Sequence, residues 1–197
     1  MKKAIIFDLN GVFIHSPKLS ERFEKDFNVS KEKFLPALSN IMDQVRKPDA
    51  GKAFDYWTPV FKEWGITMSE EQFWEYWFGA ESPSEEMIAL ARELKAKGVL
   101  VITLSNNFKE RANYYGHYPW MSEVVTRAYF SWQTGMVKPA IGAWELVLID
   151  HGLKPEDCLY FDDQQKNLDA ATSLGIESVM FTSPQDARVT IDRWLQK

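Results

Sequence analysis

The sequence predicts an α/β protein with a doubly wound parallel sheet, on three observations. Three short apolar runs each end in polar residues, helical patterns lie between them, and one long stretch near the N-terminus breaks the alternation. Strands that alternate with helices need crossover connections, and crossovers give parallel pairing. The first run covers residues 3–7 and stops at Asp8, followed by the turn pair Asn10-Gly11 and a second apolar stretch, 12–14. Another run covers 98–104 and stops at Ser105, Asn106 and Asn107, and a third covers 158–161 and stops at Asp162 and Asp163. Residues 128–131 and 177–181 read as further strands, too short for periodicity to define alone.

The helices announce themselves by their starts. Ser82 offers an N-cap, Pro83 a first helical residue and Glu85 a capping-box partner, ahead of Met87, Ile88, Leu90, Ala91 and Leu94 on one face and a stop at Gly98. Residues 140–151 form a similar pattern before Gly152, and Ser183-Pro184 opens a C-terminal helix that carries Val189, Ile191, Trp194 and Leu195. Residues 16–81 show no convincing buried strand but several helix-like stretches, one opened by Ser69 with Gln72 three residues on. The expectation is an all-helical insertion, 16–81, set into a core made of 1–15 and 82–197. Its ten aromatic residues between Phe54 and Phe78 are expected to fill its small interior, with few left to face a ligand.

A chain of 197 residues suits one domain with a modest insertion. Hydrophobic residues at 45% and charged residues at 26% exclude disorder, collagen-like repetition and coiled coil. A net charge of −5 leaves no overall positive field to gather nucleic acid or anionic lipid, so only a local basic pocket could attract an anion. No apolar run approaches the roughly 18 residues of a membrane span, and the first strand is far too short for a signal segment. A cytoplasmic protein without membrane association is expected. Cys158, the one cysteine, excludes an internal disulfide and suits a small buried hydrophobe.

In open parallel sheets ligands bind at the carboxyl ends of the strands, where loops and helix N-termini supply free N–H groups. The polar clusters would meet at that edge, bringing together Asp8, Asp162 and Asp163 with Ser105 and Asn106. Lys138, in the loop before Pro139, is a candidate cation. Clustered carboxylates repel unless a cation joins them, and hard oxygen ligands of this kind suit Mg²⁺, which commonly links carboxylates to a substrate phosphate. The set reads as phosphoryl transfer by positioning and charge neutralisation. Singly, each residue also has an ordinary structural explanation: a strand-end turn for Asp8, a helix cap for Ser105 or the Asp162-Asp163 pair, a solvated loop for Lys138.

Four segments in order resemble the motifs of the haloacid dehalogenase-like (HAD) hydrolase superfamily: Phe7-Asp8-Leu9-Asn10-Gly11-Val12; Leu104-Ser105-Asn106; Lys138-Pro139; and Phe161-Asp162-Asp163 with Asn167, Ala170 and Ala171. The match covers nearly the whole chain, and residues 130–139 with 161–163 further resemble the bacterial alpha-D-glucose-1-phosphate phosphatase branch. The resemblance implies a HAD-like Rossmannoid core with a small helical cap after the first strand, acting as a Mg²⁺-dependent phosphatase of small phosphorylated metabolites, sugar phosphates above all. It implies Asp8 as the nucleophile that forms an aspartyl phosphate, Ser105 and Asn106 as phosphoryl ligands, and Lys138 as the neutralising cation. Metal ligation falls to Asp163, with Asp162, Asp8 and the backbone carbonyl of Asn10.

One position departs from that pattern. Most phosphatases of the superfamily carry a second aspartate two residues after the nucleophile, as general acid and base; here it is Asn10. An amide cannot exchange a proton at neutral pH, so help worth about 10²- to 10⁴-fold would be missing. Another group could supply the proton, the chain could be catalytically weak, or an aspartate could have been replaced to disable the site. His15, past the first motif, is the one histidine placed to substitute. An anomeric leaving group, being less basic than an ordinary alcohol, would need the acid least. Two alternatives therefore stand beside the phosphatase: a phosphate-ligand binding protein without turnover, and a dehalogenase, which also lacks the second aspartate. The dehalogenase has no use for a metal, and Asp162 with Asp163 beside Asp8 argue against it.

Overall fold

A computed structural model describes residues 3–197. Its centre is a five-stranded parallel sheet in the order β5-β4-β1-β6-β7. In chain order the elements begin with β1 (Ala4–Phe7) and β2 (Ile14–His15). Four helices follow: α1 (Leu19–Phe27), α2 (Lys31–Val45), α3 (Ala53–Trp64) and α4 (Glu70–Phe78). The chain returns through β3 (Ser82–Pro83), α5 (Glu85–Ala96), β4 (Leu100–Ser105), α6 (Lys109–Gly116) and α7 (Pro119–Val124). It ends with β5 (Arg127–Phe130), α8 (Ser131–Thr134), α9 (Gly142–His151), β6 (Cys158–Asp162), α10 (Gln165–Ser173), β7 (Glu177–Met180) and α11 (Pro184–Leu195).

The side-chain alternation of β1 divides the core in two. Ile5 and Phe7 face one layer with Val101, Leu159, Phe161 and helices α5, α7 and α11; Ala4 and Ile6 face the other with Ile102, Leu104, Tyr160 and helices α9 and α10. Both faces of β1 are therefore dry, which is why its sequence is a continuous apolar run. The chain leaves β1 for β4 and β5 on one side and later supplies β6 and β7 on the other, so the carboxyl end of β1 lies at the switch point where open α/β sheets form a crevice.

Helices α1–α4 bury their own aromatic cluster, with Phe23 against Phe34 at 4.7 Å and Trp57 against Phe73 at 5.2 Å between ring centroids. Phe108 of the sheet domain joins that cluster, so the insertion is packed onto the core rather than tethered to it. Cys158 is fully buried, and burial pushes its thiol up to about 12, which keeps it an inert hydrophobe.

Two helix starts differ from the sequence expectation, and the strand ends shift by one or two residues, β4 beginning at Leu100 rather than at 98. Helix α5 is capped by Ser84, whose Oγ accepts from Met87 N, and not by Ser82. Ser82 and Pro83 instead pair antiparallel with Ile14 and His15, because the strands entering and leaving the insertion run side by side. Helix α9 begins at Gly142, two residues later than the pattern suggests. The caps at Ser69 and Ser183 form as expected, the first as a full capping box with Gln72.

Candidate active site

Asp8 directly follows β1, where Phe7 pairs with Thr103 of β4 and Phe161 of β6. Its backbone N–H is tied to Phe161 O at 2.8 Å and its Oδ1 accepts from Leu9 N at 2.7 Å, so the buried carboxylate is fixed in direction. Lys138 reaches it from the loop before α9, with Nζ 3.1 Å from Asp8 Oδ1. Burial pushes the Asp8 carboxyl up from its ordinary value, and the Lys138 charge pulls it back.

The other contacts of Lys138 show how a buried cation is kept in place. Its Nζ lies 2.6 Å from Asp162 Oδ2 and donates to Tyr160 Oη at 3.1 Å, while Tyr160 donates its own proton to Asp162. Asp162, fully buried, also accepts from Gln164 N at 2.8 Å and from Asn167 Nδ2 at 3.0 and 3.1 Å. Its two oxygens are thus saturated with donors. Asn106, at the end of β4, clasps the backbone of Lys138 from both sides: Lys138 N donates to Asn106 Oδ1 and Asn106 Nδ2 donates to Lys138 O, both at 2.8 Å. The Asn106 side chain is committed to that clasp, and Ser105 Oγ accepts from Asn107 Nδ2 at 2.9 Å.

Asp163 is exposed and extends toward Gly11, which has φ +85°. A Cβ built on Gly11 would lie 2.9 Å from Asp163 Cγ and closer still to Oδ2, so the glycine clears the space that the carboxylate occupies. Asp8, Asp162 and Asp163 each offer an oxygen within 4.8 Å of the others. Partial desolvation of its carboxyl at the sheet edge and the charge of the neighbouring Asp162 push Asp163 up. Three carboxylates against the single charge of Lys138 leave an excess that a divalent cation would balance, and an all-oxygen donor set suits Mg²⁺.

Asp8, Lys138 and Asp163 line a cavity of about 530 Å³ between the sheet edge and the insertion, with Asp162 buried behind them. Five cationic side chains, Lys18, Arg46, Arg111, Lys138 and Lys166, face it against the carboxylates of Asp8 and Asp163. An acidic chain thus holds a local basic pocket. Leu38 and Trp77 of the insertion form its apolar wall, and His15 stands at its exposed edge. A more open groove of about 1100 Å³ along α4, lined by Trp74, Tyr76 and three glutamates, contains none of the expected site residues.

Sequence reasoning missed the layer of polar residues that surrounds Asn10. Asn10 Nδ2 donates to Tyr115 Oη at 2.6 Å and to Ser16 Oγ at 3.3 Å, and its Oδ1 accepts from Asn107 Nδ2 at 2.8 Å. Tyr115 donates to Glu81 Oε2 at 2.6 Å, and Arg111 forms an ion pair with Glu81. Glu81, Arg111 and Tyr115 are single polar residues in ordinary helical or connecting sequence, and Glu81 lies far from the other two along the chain, so no local pattern marks them.

Residues 2–175 match the family model for haloacid dehalogenase-like hydrolases, which covers most of the chain, and the chain belongs to that family of enzymes. The fold is shared with an HAD family enzyme of Bacteroides thetaiotaomicron, 23% identical over 92% of this chain and 95% of that one with a TM-score of 0.77, crystallised with magnesium and inorganic phosphate. It is shared also with a predicted HAD-like family hydrolase from Porphyromonas gingivalis, at 22% identity, 100% and 99% coverage and a TM-score of 0.79. A predicted phosphoglycolate phosphatase from Haemophilus somnus aligns more loosely, at 19% identity, 92% and 85% coverage and a TM-score of 0.60.

Proposed function

We propose that the protein is a Mg²⁺-dependent phosphatase of small phosphorylated metabolites, sugar phosphates by preference, that works through an aspartyl phosphate on Asp8. The observation that carries this reading is the buried Asp8 carboxylate at the centre of the sheet edge, 3.1 Å from an equally buried Lys138 and within reach of Asp163. Residues 16–81 are the cap over the site, and residues 1–15 with 82–197 are the catalytic core. The basic pocket supports a phosphorylated ligand, as does the similar fold from Bacteroides thetaiotaomicron that was crystallised with magnesium and inorganic phosphate.

Asp8 attacks phosphorus and takes the phosphoryl group while the bond to the leaving oxygen breaks and that oxygen takes a proton from water; a second water then attacks the phosphorus, releasing phosphate and a proton and freeing the carboxylate. Lys138 offsets the negative charge of nucleophile and phosphoryl group as they approach. Ser105 and the backbone N–H of Asn106 receive phosphoryl oxygens, and the Asn106 side chain holds Lys138 in line. Asp163, Asp8 and the Asn10 carbonyl would hold Mg²⁺, with Asp162 adding its field, and the ion would draw charge from the phosphoryl oxygens. On the cap side Arg46 Nε is buried without a hydrogen-bond partner, as suits a donor that a bound anion satisfies. The cavity volume limits the substrate to a small one.

A panel of phosphomonoesters with and without Mg²⁺ tests the reading. Release of phosphate from sugar phosphates that EDTA abolishes and added Mg²⁺ restores is expected; chloride release from a 2-haloacid in the presence of EDTA would replace the phosphatase by a dehalogenase. Gly11→Ala is expected to raise the Mg²⁺ concentration for half-maximal activity by roughly 10- to 100-fold, because its methyl group would push Asp163 aside. A Mg²⁺ titration of the purified variant reads that shift.

The non-acidic Asn10 favours one second reading, binding without turnover, since Asp8, Lys138 and Asp163 would still present charge to metal and phosphate. Calorimetry that finds saturable sugar-phosphate binding, with no phosphate release from any substrate, would establish it.

A further inference from the structure

We infer that Asn10 is a positioning residue matched to Glu81 through Tyr115, and that this trio, with Arg111, Ser16 and Asn107, latches both chain crossings of the insertion over the nucleophile. The inference rests on the reading of Asp8 as nucleophile. Its basis is a closed ring of hydrogen bonds: Asn10 to Tyr115 at 2.6 Å, Tyr115 to Glu81 at 2.6 Å, Arg111 to Glu81, Arg111 to Asn107 at 3.5 Å and Asn107 to Asn10 at 2.8 Å. Ser16 follows β2, where the chain enters the insertion, and Glu81 precedes β3, where it leaves. Arg111 Nη2 holds both, with Ser16 Oγ at 3.1 Å. Asn10 and Arg111 border the cavity, and the side of the ring away from it is dry: Tyr115 is fully buried, and the side chains of Glu81 and Arg111 are 1% and 12% exposed. The Arg111 guanidinium also lies against the rings of Trp77 and Tyr115, at 5.5 and 5.6 Å.

Counting protons fixes the identity of residue 10. The Glu81 carboxylate only accepts, and it takes bonds from Arg111 and from the phenol of Tyr115. A phenol has one proton, so the Tyr115 oxygen must accept from position 10. The amide of Asn10 donates there. An ionised aspartate has no proton to give there, and Tyr115 would then face two carboxylates with one proton between them. Asparagine thus completes the ring whatever the pH, whereas an aspartate would complete it only while protonated. Glu81→Gln makes the opposite mismatch: its oxygen must face Arg111, its amide nitrogen then faces Tyr115, and the phenol proton has no acceptor. Both changes together restore the count in the reverse direction. The new amide at position 81 donates to Tyr115, Tyr115 donates to the new carboxylate at position 10, and Asn107 donates to the other oxygen of that carboxylate.

The test compares the natural protein, Asn10→Asp, Glu81→Gln and the double variant by kcat/KM on a sugar phosphate and by amide hydrogen exchange in segments 14–16 and 81–84. Each single variant is expected to lose about tenfold or more in kcat/KM and to exchange faster at both crossings, and the double variant to return within about threefold of the natural protein in both measures. A residue that only fills space would not be rescued by a second, damaging substitution. Losses that multiply in the double variant, or a gain in kcat/KM from Asn10→Asp alone, would overturn the inference. Exchange is read without turnover, so a natural protein that releases no phosphate would sink the phosphatase reading while exchange still judges the latch.

Discussion

Asp8→Asn is expected to lower the rate of phosphate release by roughly 10⁴- to 10⁶-fold while leaving the fold intact or slightly stabilised. An amide cannot form the mixed anhydride with the phosphoryl group, so the covalent route is closed. The stability result has a separate cause. The carboxylate sits in a site where burial and the adjacent Asp162 both disfavour its charge, and only Lys138 and the Leu9 amide offset them. Asparagine keeps the shape and removes the charge. Steady-state assays with thermal unfolding of the same preparation check both halves, and a large fall in Tm would show that the carboxylate is a structural need of the strand end.

Lys138→Met is expected to damage both properties. The ammonium is 3.1 Å from Asp8 and 2.6 Å from Asp162, and all three side chains are buried. Removing one partner of a buried ionic group leaves its counter-charges uncompensated, at a cost of about 3–5 kcal/mol. For a chain of this size that corresponds to a Tm lower by roughly 6–20 °C. Loss of a fixed positive charge at the reacting phosphoryl group would take a further factor of about 10² to 10³ from kcat. Added Mg²⁺ should recover part of the stability, because a divalent ion offsets the same carboxylates, but not the rate. Calorimetry with and without Mg²⁺ separates the two effects, and an unchanged Tm would mean that Asp8 and Asp162 do not depend on the lysine.

The two losses differ in sign on stability although both residues meet at the same place, and that contrast bears on what a sequence can reveal. The strand ends at Asp8, Ser105 and Asp162 were legible because a buried strand needs an apolar run, and the switch from apolar to polar marks where it emerges. Lys138 was legible only by its order among the motifs. Its contacts were not, since Asn106 reaches it across 32 residues and Tyr160 points at it from within a strand that reads as purely apolar. The side chain of Asn106 was expected at the phosphoryl group, and its reciprocal clasp with Lys138 has no local signature. The slip from Ser82 to Ser84 as the cap of α5 has a similar origin: the Ser-Pro-Ser-Glu segment offers two caps, and pairing of β2 with β3 selects the second. The Asn10 ring was hidden most completely. Its members come from two loops, both crossings and one helix, and their complementarity is a matter of proton count in three dimensions.

Covalent chemistry at Asp8 is the centre of the account, and mass spectrometry after acid quenching tests it most directly. The protein would be mixed with a sugar phosphate that it turns over, quenched within a single turnover and digested. The result expected is one phosphoryl group on the peptide that contains Asp8, formed with Mg²⁺ present, absent after EDTA and absent from Asp8→Asn. Phosphate release that proceeds with no phosphorylated peptide at any time point, or with the phosphoryl group on another residue, would contradict it.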